Sequence, residues 1–240
     1  MVGDLLRQEL LVKPDIDLAH IVSYLTFDGH LTEDLKCFYL SSKHLDTLSH
    51  FAQLVQNKFS MKGRFEKDDN AYGESYKYRV FSRHVCRLLE KMGTPKGNKT
   101  TKIFHIPHWI KADKECARAY LCTAFDCEGS IWIEDKPKIR FGIFKRTELI
   151  ENGFAFSNEL KSLLAQFEVS TSNTWLMKGN IKEDGTETIG FYFKIKQESI
   201  PVYASEIGFN DRFKNTLLIP QTGLSHGLPK HGSSYGSMKL

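Results

Sequence analysis

Two junctions in this chain pass from an apolar, helix-like run through an acid and a glycine into a strand-like alternation. One is "YLCTAFDCEGSIWI" (120–133), which crosses Asp126-Cys127-Glu128-Gly129; the other is "HIVSYLTFDGHL" (20–31), which crosses Asp28-Gly29. Asp28 and Glu128 hold the same place 100 residues apart. Carboxylates brought close together cannot both stay ionised without compensation, and divalent cations supply it. Hard oxygen ligands suit Mg²⁺, which keeps waters and fills its shell with phosphate oxygens. The chemistry such a pair supports is metal-assisted phosphodiester hydrolysis. Taken singly, Asp-Gly is a common turn, so the weight rests on the repetition. Asp126 ranks below Glu128, because the first junction has Thr26 at its place.

The elements needed to position these acids occur twice. "DIDLAHIVSYLTF" (15–27) is apolar at helical spacing, strands follow at 29–32 and 37–41, and "SKHLDTLSHFAQLVQNKF" (42–59) is an amphipathic helix with a Ser start signal. "MKGRFEKD" (61–68) and "ESYKYRVFS" (74–82) alternate as strands, and "RHVCRLLEKMG" (83–93) is a helix ending at glycine. After a basic connector the order restarts at "DKECARAYLCTAF" (113–125), with strands "GSIWIED" and "KIRFGIFKR", a helix within "ENGFAFSNELKSLLAQF", a hairpin around Glu183-Asp184-Gly185 and closing helices. Each half reads helix–strand–strand–helix–strand–strand–helix. Such an internal duplication outranks any local motif.

Bulk composition is ordinary for a globular chain: 240 residues, 41% hydrophobic, 26% charged, net charge +4. The basic balance permits an anionic partner without demanding one. Five cysteines with no CxxC pair point away from a disulfide framework or a zinc ribbon and toward a reducing, cytoplasmic setting. No apolar run reaches the ~20 residues of a membrane helix, and the N-terminus lacks a signal-peptide core. The units expected are residues 1–93, a linker over 94–112, residues 113–219 and a flexible Gly/Ser/His/Pro-rich tail over 220–240.

With these residues in place the chain resembles the LAGLIDADG homing endonucleases, in the archaeal-type form carrying two motifs in one chain. Leu121 to Gly129 fits the nonapeptide well and Ser130-Ile131 continue it, while Ile21 to Gly29 keeps the terminal acid and glycine. The connector and the late "EIGFNDRFK" also look like archaeal members. The resemblance, over roughly residues 17 to 218, implies an α+β fold of two pseudo-symmetric αββαββα repeats. Each would be a four-stranded antiparallel saddle sheet backed by helices, the two joined at a two-helix interface. Small residues (Ser23, Thr123, Ala124, Cys127) would let the motif helices approach, as in other small-residue crossings; Phe27 stands where the family has a small residue. Asp28 and Glu128 would be metal ligands, for Mg²⁺ with Mn²⁺ as a substitute. Lys196, at the end of the last strand, matches the family's lysine that polarises solvent at the scissile phosphates; the first half offers Phe81 there.

Strand alternation selects a face for a partner. Lys138, Arg140 and Arg146 fall opposite Ile139, Phe141 and Ile143; Tyr192, Lys194 and Lys196 opposite Phe191, Phe193 and Ile195. Lys62 and Arg64 fall opposite Met61 and Phe65, Lys77 and Arg79 opposite Tyr78 and Val80, and Ser130 and Trp132 opposite Ile131 and Ile133. Basic side chains on twisted ribbons suit a DNA major groove, although any solvated sheet face carries charge. "GTPKGNKT" lacks the GK[ST] ending of a phosphate loop and reads as a linker whose lysines contact DNA backbone. His105-x-x-His108 reads as a satisfied loop pair, since Pro107 breaks a helix there. The chain lacks the Cys start and His-Asn end of an intein host, which favours a free-standing, intron-encoded protein. The function expected is site-specific cleavage of double-stranded DNA by a monomer. An RNA maturase that folds intron RNA is the main rival, and a DNA-binding protein without cleavage is the third reading.

Overall fold

A computed structural model describes residues 13–70, 73–181 and 185–218. The expected tail over 220–240 and the hairpin apex at Glu183-Asp184 lie outside the described residues.

The first repeat runs α1 (Ile16–Thr26), β1 (Gly29–Leu31), β2 (Cys37–Ser42), α2 (Leu45–Phe59), β3 (Arg64–Asn70), β4 (Gly73–Phe81) and α3 (Arg83–Lys91). The connector contains a 3₁₀ turn (Lys99–Thr101) and α4 (His108–Ala112). The second repeat runs α5 (Lys114–Glu128), β5 (Gly129–Ile133), β6 (Pro137–Arg146), α6 (Ile150–Ala165), β7 (Trp175–Ile181), β8 (Glu187–Lys194), α7 (Ile200–Glu206) and α8 (Arg212–Thr216). Both sheets are antiparallel and four-stranded, ordered β1-β2-β4-β3 and β5-β6-β8-β7. The α+β duplication is therefore present as expected.

Local chemistry starts and stops the two motif helices alike. Asp15 caps α1 by accepting the Leu18 N–H at 2.9 Å, and Asp113 caps α5 by accepting the Cys116 N–H at 2.9 Å. At the other end each chain must leave the helix at once as a strand. A Cβ on Gly29 would meet Leu25 Cδ2 and Tyr39 O at 2.9 Å, and one on Gly129 would meet Phe125 O at 2.3 Å. Only glycine permits this exit.

The helices α1 and α5 pack side by side along a seam. Ser23 Oγ donates to Tyr120 O (2.8 Å), and His20 Nδ1 bonds Thr123 Oγ1 (2.7 Å). Phe27, the large residue at a small-residue position, crosses the seam into the second repeat. Its ring centroid lies 5.9 Å from Tyr120, 5.7 Å from Phe141 and 6.2 Å from Phe156. It anchors the first motif helix in the neighbouring core, so its bulk is accommodated.

Three local readings differ from the structure. The connector is integrated into the fold: Ile106 and Ile110 are buried, Trp109 Nε1 donates to Met92 O (3.0 Å), and the Ile106 N–H donates to Glu159 (2.7 Å). Pro107 starts α4 rather than breaking it, because proline's missing N–H costs nothing at a helix N-terminus. Strand β8 ends at Lys194, and Ile195 bridges to Thr171 instead, so Lys196 lies beyond the strand.

Candidate active site and nucleic-acid interface

At the foot of the seam Glu128 is the last residue of α5, and Asp28 follows the C-terminal end of α1 at Thr26 by two residues. Glu128 is half-buried, and burial together with the nearby Asp28 charge pushes its carboxyl up to about 7. Asp28 keeps an exposed edge, yet the protein packed round its carboxyl raises it as well. The Cys127 thiol beside Asp28 acts on it in the opposite direction, as do Lys99 and Lys214 on both acids. The reach of the Asp28 charge to Glu128 across 100 residues of sequence is what proximity of the two acids requires.

Neither lysine was read as part of the acid site: Lys99 was among the linker lysines expected on DNA backbone, and Lys214 lay within "EIGFNDRFK" without a role of its own. Lys99 Nζ donates to Phe27 O, to Gly29 O (2.6 Å) and to Leu25 O (3.4 Å). Lys214 Nζ donates to Phe125 O (3.1 Å), Asp126 O (2.5 Å) and Gly129 O (2.7 Å). Each ammonium thus closes the carbonyl end of one motif helix, where the helix dipole favours a cation, and stands beside that helix's terminal acid. A signal for them existed. Gly93 and Gly208, both at positive φ after a helix, are each followed six residues later by one of these lysines.

Asp126, the second acid at the α5 foot, does a different task. Its Oδ2 accepts the Asn210 N–H (3.2 Å) and its Oδ1 the Asp211 N–H (3.1 Å), fixing the loop that leads to Lys214. Lys196 stands apart from this group. It is exposed past β8 and lines a cleft with Asn158, Lys161 and Ser170, while its N–H donates to Ser170 O (2.9 Å). His105 Nδ1 bonds Glu159 Oε1 at 3.1 Å, which accounts for that histidine. Among the described residues no group of three or more His, Cys, Asp or Glu side chains could hold a metal ion. The donors on offer for a cation are the two terminal carboxylates.

Register brings the remaining candidates into rows on the uncovered sheet faces. In the first sheet His30, Tyr39, Arg79 and Arg64 share one row, and Ser41, Lys77 and Glu66 the next. The Arg79 guanidinium lies 5.3 Å from the Tyr39 ring and pairs with Glu66 (3.4 Å). Lys62 is exposed just before β3. Phe65 shares the inner face with Tyr78, 4.8 Å away, but is 55% exposed because β3 is an edge strand with little to cover it. In the second sheet Ser130, Arg140 and Lys194 share a row, beside Trp132 with Lys138 and Gly142 with Tyr192 and Trp175. Arg140 lies 5.9 Å from the Trp132 ring and 5.1 Å from the Tyr192 ring; Lys194 lies 5.7 Å from Trp132 and 5.8 Å from Trp175. Gly142 makes room for this: a Cβ there would strike the Tyr192 ring at 2.2 Å. Arg146, farther along β6, pairs with Glu148 at 3.2 Å.

Lys145, on the opposite face of β6, is buried at 1% exposure. Its Nζ donates to Lys99 O (3.1 Å) and Lys102 O (2.7 Å) and sits 3.4 Å from the Phe104 ring centroid. Burial, and then the Lys99 charge, push it down to about 7. The sequence reading did not single out this residue, and nothing local revealed its partners.

Comparison with known proteins gives the fold a name. No family model matches the chain. Among curated proteins it is 26% identical over 230 residues to the DNA-directed RNA polymerase subunit Rpo1N of Methanocaldococcus jannaschii, covering 79% of this chain and 17% of that protein. It is 30% identical over 210 residues to the tRNA-splicing ligase RtcB of Pyrococcus furiosus, covering 80% of this chain and 21% of the ligase. The chain thus spans only about a fifth of the length of these relatives. Among solved structures it resembles the homing endonuclease I-WcaI bound to its DNA recognition sequence (TM-score 0.53, 10% identity, 91% of this chain and 92% of that one). It also resembles the N-terminal LAGLIDADG domain of DUF199/WhiA (TM-score 0.51, 11% identity, 86% of this chain and 88% of that one). Two sheets, two glycine-exit helices packed at a seam and these likenesses agree: the chain has the two-motif LAGLIDADG fold.

Proposed function

We propose that this chain binds a long, nearly unsymmetrical double-stranded DNA site across its two sheets and hydrolyses one phosphodiester bond in each strand. The observation that carries this reading is the duplicated foot of the seam, where each motif helix ends in an acid and each helix end is closed by a lysine. A pseudo-twofold pair of acids matches the antiparallel strands of a duplex, so one chain supplies both sites and acts as a monomer.

Asp28 and Glu128 are hard oxygen donors whose buried setting disfavours ionisation, and the Asp28 charge raises Glu128 further. That is the state a divalent cation relieves, so the pair fits Mg²⁺, with Mn²⁺ as a substitute. When bound, the metal supplies an activated water and stabilises the attacking and leaving oxygens. The chain's own residues orient the phosphates and hold cationic charge beside the acids through Lys99 and Lys214. Lys196, exposed beyond β8, keeps an electrostatic role toward the phosphate backbone. Lys62, Arg64, Lys77, Arg79, Ser130, Trp132, Lys138, Arg140, Arg146, Tyr192 and Lys194 form the DNA-facing surface, with phosphate contacts fixing register and base contacts giving sequence. The role in the cell is intron homing in an archaeal, intracellular setting. The polymerase and ligase activities of the curated relatives are not carried over, because the shared segment is only about a fifth of each.

The test is cleavage of randomised duplex pools with Mg²⁺ by wild type, Asp28→Asn and Glu128→Gln, with binding followed by gel shift. Wild-type cutting lost by at least about 100-fold in both variants, with binding kept, supports the reading. A wild type that binds without cutting moves the assignment to a DNA-binding role. Preference for structured RNA over duplex DNA moves it to the maturase role.

A further inference from the structure

The two lysine-bearing loops are held in place by different devices. The first loop straddles the seam. On one side the Gly97 N–H donates to Leu31 O (2.8 Å), and Lys96 bridges in parallel to Leu31, both in the first repeat. On the other side it is gripped by Lys145 of the second repeat, through the carbonyls of Lys99 and Lys102. The loop leading to Lys214 is gripped instead by a carboxylate, Asp126, through the N–H groups of Asn210 and Asp211.

Neither anchor is repeated. Thr26 stands where Asp126 has its counterpart, and its hydroxyl is spent on Val22 O (2.7 Å). By the register that sets Gly29 against Leu40 and Gly129 against Phe141, the counterpart of Lys145 is His44, which is exposed beyond β2. Lys145 faces inward and Asp126 is turned to the α8 loop, so neither belongs to the uncovered sheet rows. A buried ammonium persists only where its donors are used. Here they are used on the main chain of the very residue that closes α1.

We propose that Lys145 and Asp126 are positioning residues, Lys145 for Lys99 and Asp126 for Lys214, so that each sets the competence of one cutting centre and hence the cleavage of one DNA strand. This rests on the nuclease reading above. The fold supplies two equivalent lysines, and two unlike contacts, one cationic to carbonyls and one anionic to amides, hold them to equivalent reach.

The experiment uses the full chain and a duplex recovered by wild-type cleavage from a randomised pool, its strands carrying different 5′ labels, under single-turnover conditions. Lys145→Met is expected to slow one strand at least tenfold more than the other, giving nicked duplex. The slowed strand is the one slowed by Lys99→Met, and the double variant cuts it no more slowly than Lys99→Met alone, since residues acting through one another do not add. Asp126→Asn is expected to bias toward the opposite nick, matching Lys214→Met. The strand ratio does not depend on how much protein is folded, because an unfolded fraction loses both cuts equally. A Lys145→Met enzyme that slows both strands alike, or a double variant with additive loss, overturns the inference while leaving the nuclease reading intact. A wild type that cuts no duplex overturns the nuclease reading and this inference with it.

Discussion

In the first sheet the central arginine, Arg79, is shared between the Tyr39 ring and the carboxylate of Glu66. In the second sheet Arg140 lies between the Trp132 and Tyr192 rings, and Lys194 between Trp132 and Trp175. At the centre of the first face the arginine is divided between a ring and an acid, whereas at the centre of the second both cations are seated on aromatic planes. The same duplication therefore yields two sheet faces of different character, the difference that the proposed unsymmetrical DNA site would use. The seam differs in the same way: α1 sends Phe27 across into the neighbouring core, while α5 places the small Cys127 at the matching site beside Asp28.

The largest test of that inequality is at the seam. Phe27→Ala is expected to cost about 3–5 kcal/mol, the usual range for a buried Phe, whereas Cys127→Ala costs about 1 kcal/mol. Denaturant unfolding of both variants checks it, and equal costs would break the comparison. The next test is the pH dependence of the seam. Burial, and then the nearby His50 charge, push His20 down to about 4 from 6.5. The unfolded chain therefore takes up this proton first as pH falls. Stability from neutral His20 is complete above 6.5 and is lost between 6.5 and about 4, by about 2–3 kcal/mol. His20→Gln should remove that slope from unfolding curves measured across this range, and an unchanged slope would assign it elsewhere.

Two smaller effects concern the faces. Arg140→Ala should weaken duplex binding by about 1–3 kcal/mol, and Arg79→Ala by less than about 1 kcal/mol, because Glu66 already offsets Arg79. Gel shifts at two salt concentrations measure both, and the reverse order would remove the distinction between the faces. Smallest of all, Glu66→Gln should leave stability within about 1 kcal/mol, as for any exposed ion pair, while steepening the salt dependence of binding by about one phosphate contact.

The duplicated order of elements was legible because its causes are local. Asp15 and Asp113 cap helices three residues on, and Gly29 and Gly129 are demanded by the turn of backbone behind them. Alternation along β6 and β8 likewise assigned Arg140 and Lys194 to one face, since side chains on a strand alternate whatever covers them. Where local cues misled, tertiary partners were the reason. The connector looked like a linker because its burial depends on Glu159 and Asn152 from a distant helix. Lys196 looked like strand because Ile195 alternates correctly, yet its bridge goes to Thr171 and the ladder ends before it.

Sequence alone determined the repeat, the two acids at equivalent helix ends and the basic sheet faces, all of which follow from spacing along one segment. Only the tertiary structure decided that Lys99 and Lys214 close those helix ends, and that Asp126 holds a loop rather than serving as a twin of Glu128. It alone set Lys145 against the main chain of Lys99. These contacts join residues 46 to 89 positions apart. No periodicity specifies which carbonyl a long, flexible amine will reach, because that is set by the packing of the two repeats against each other.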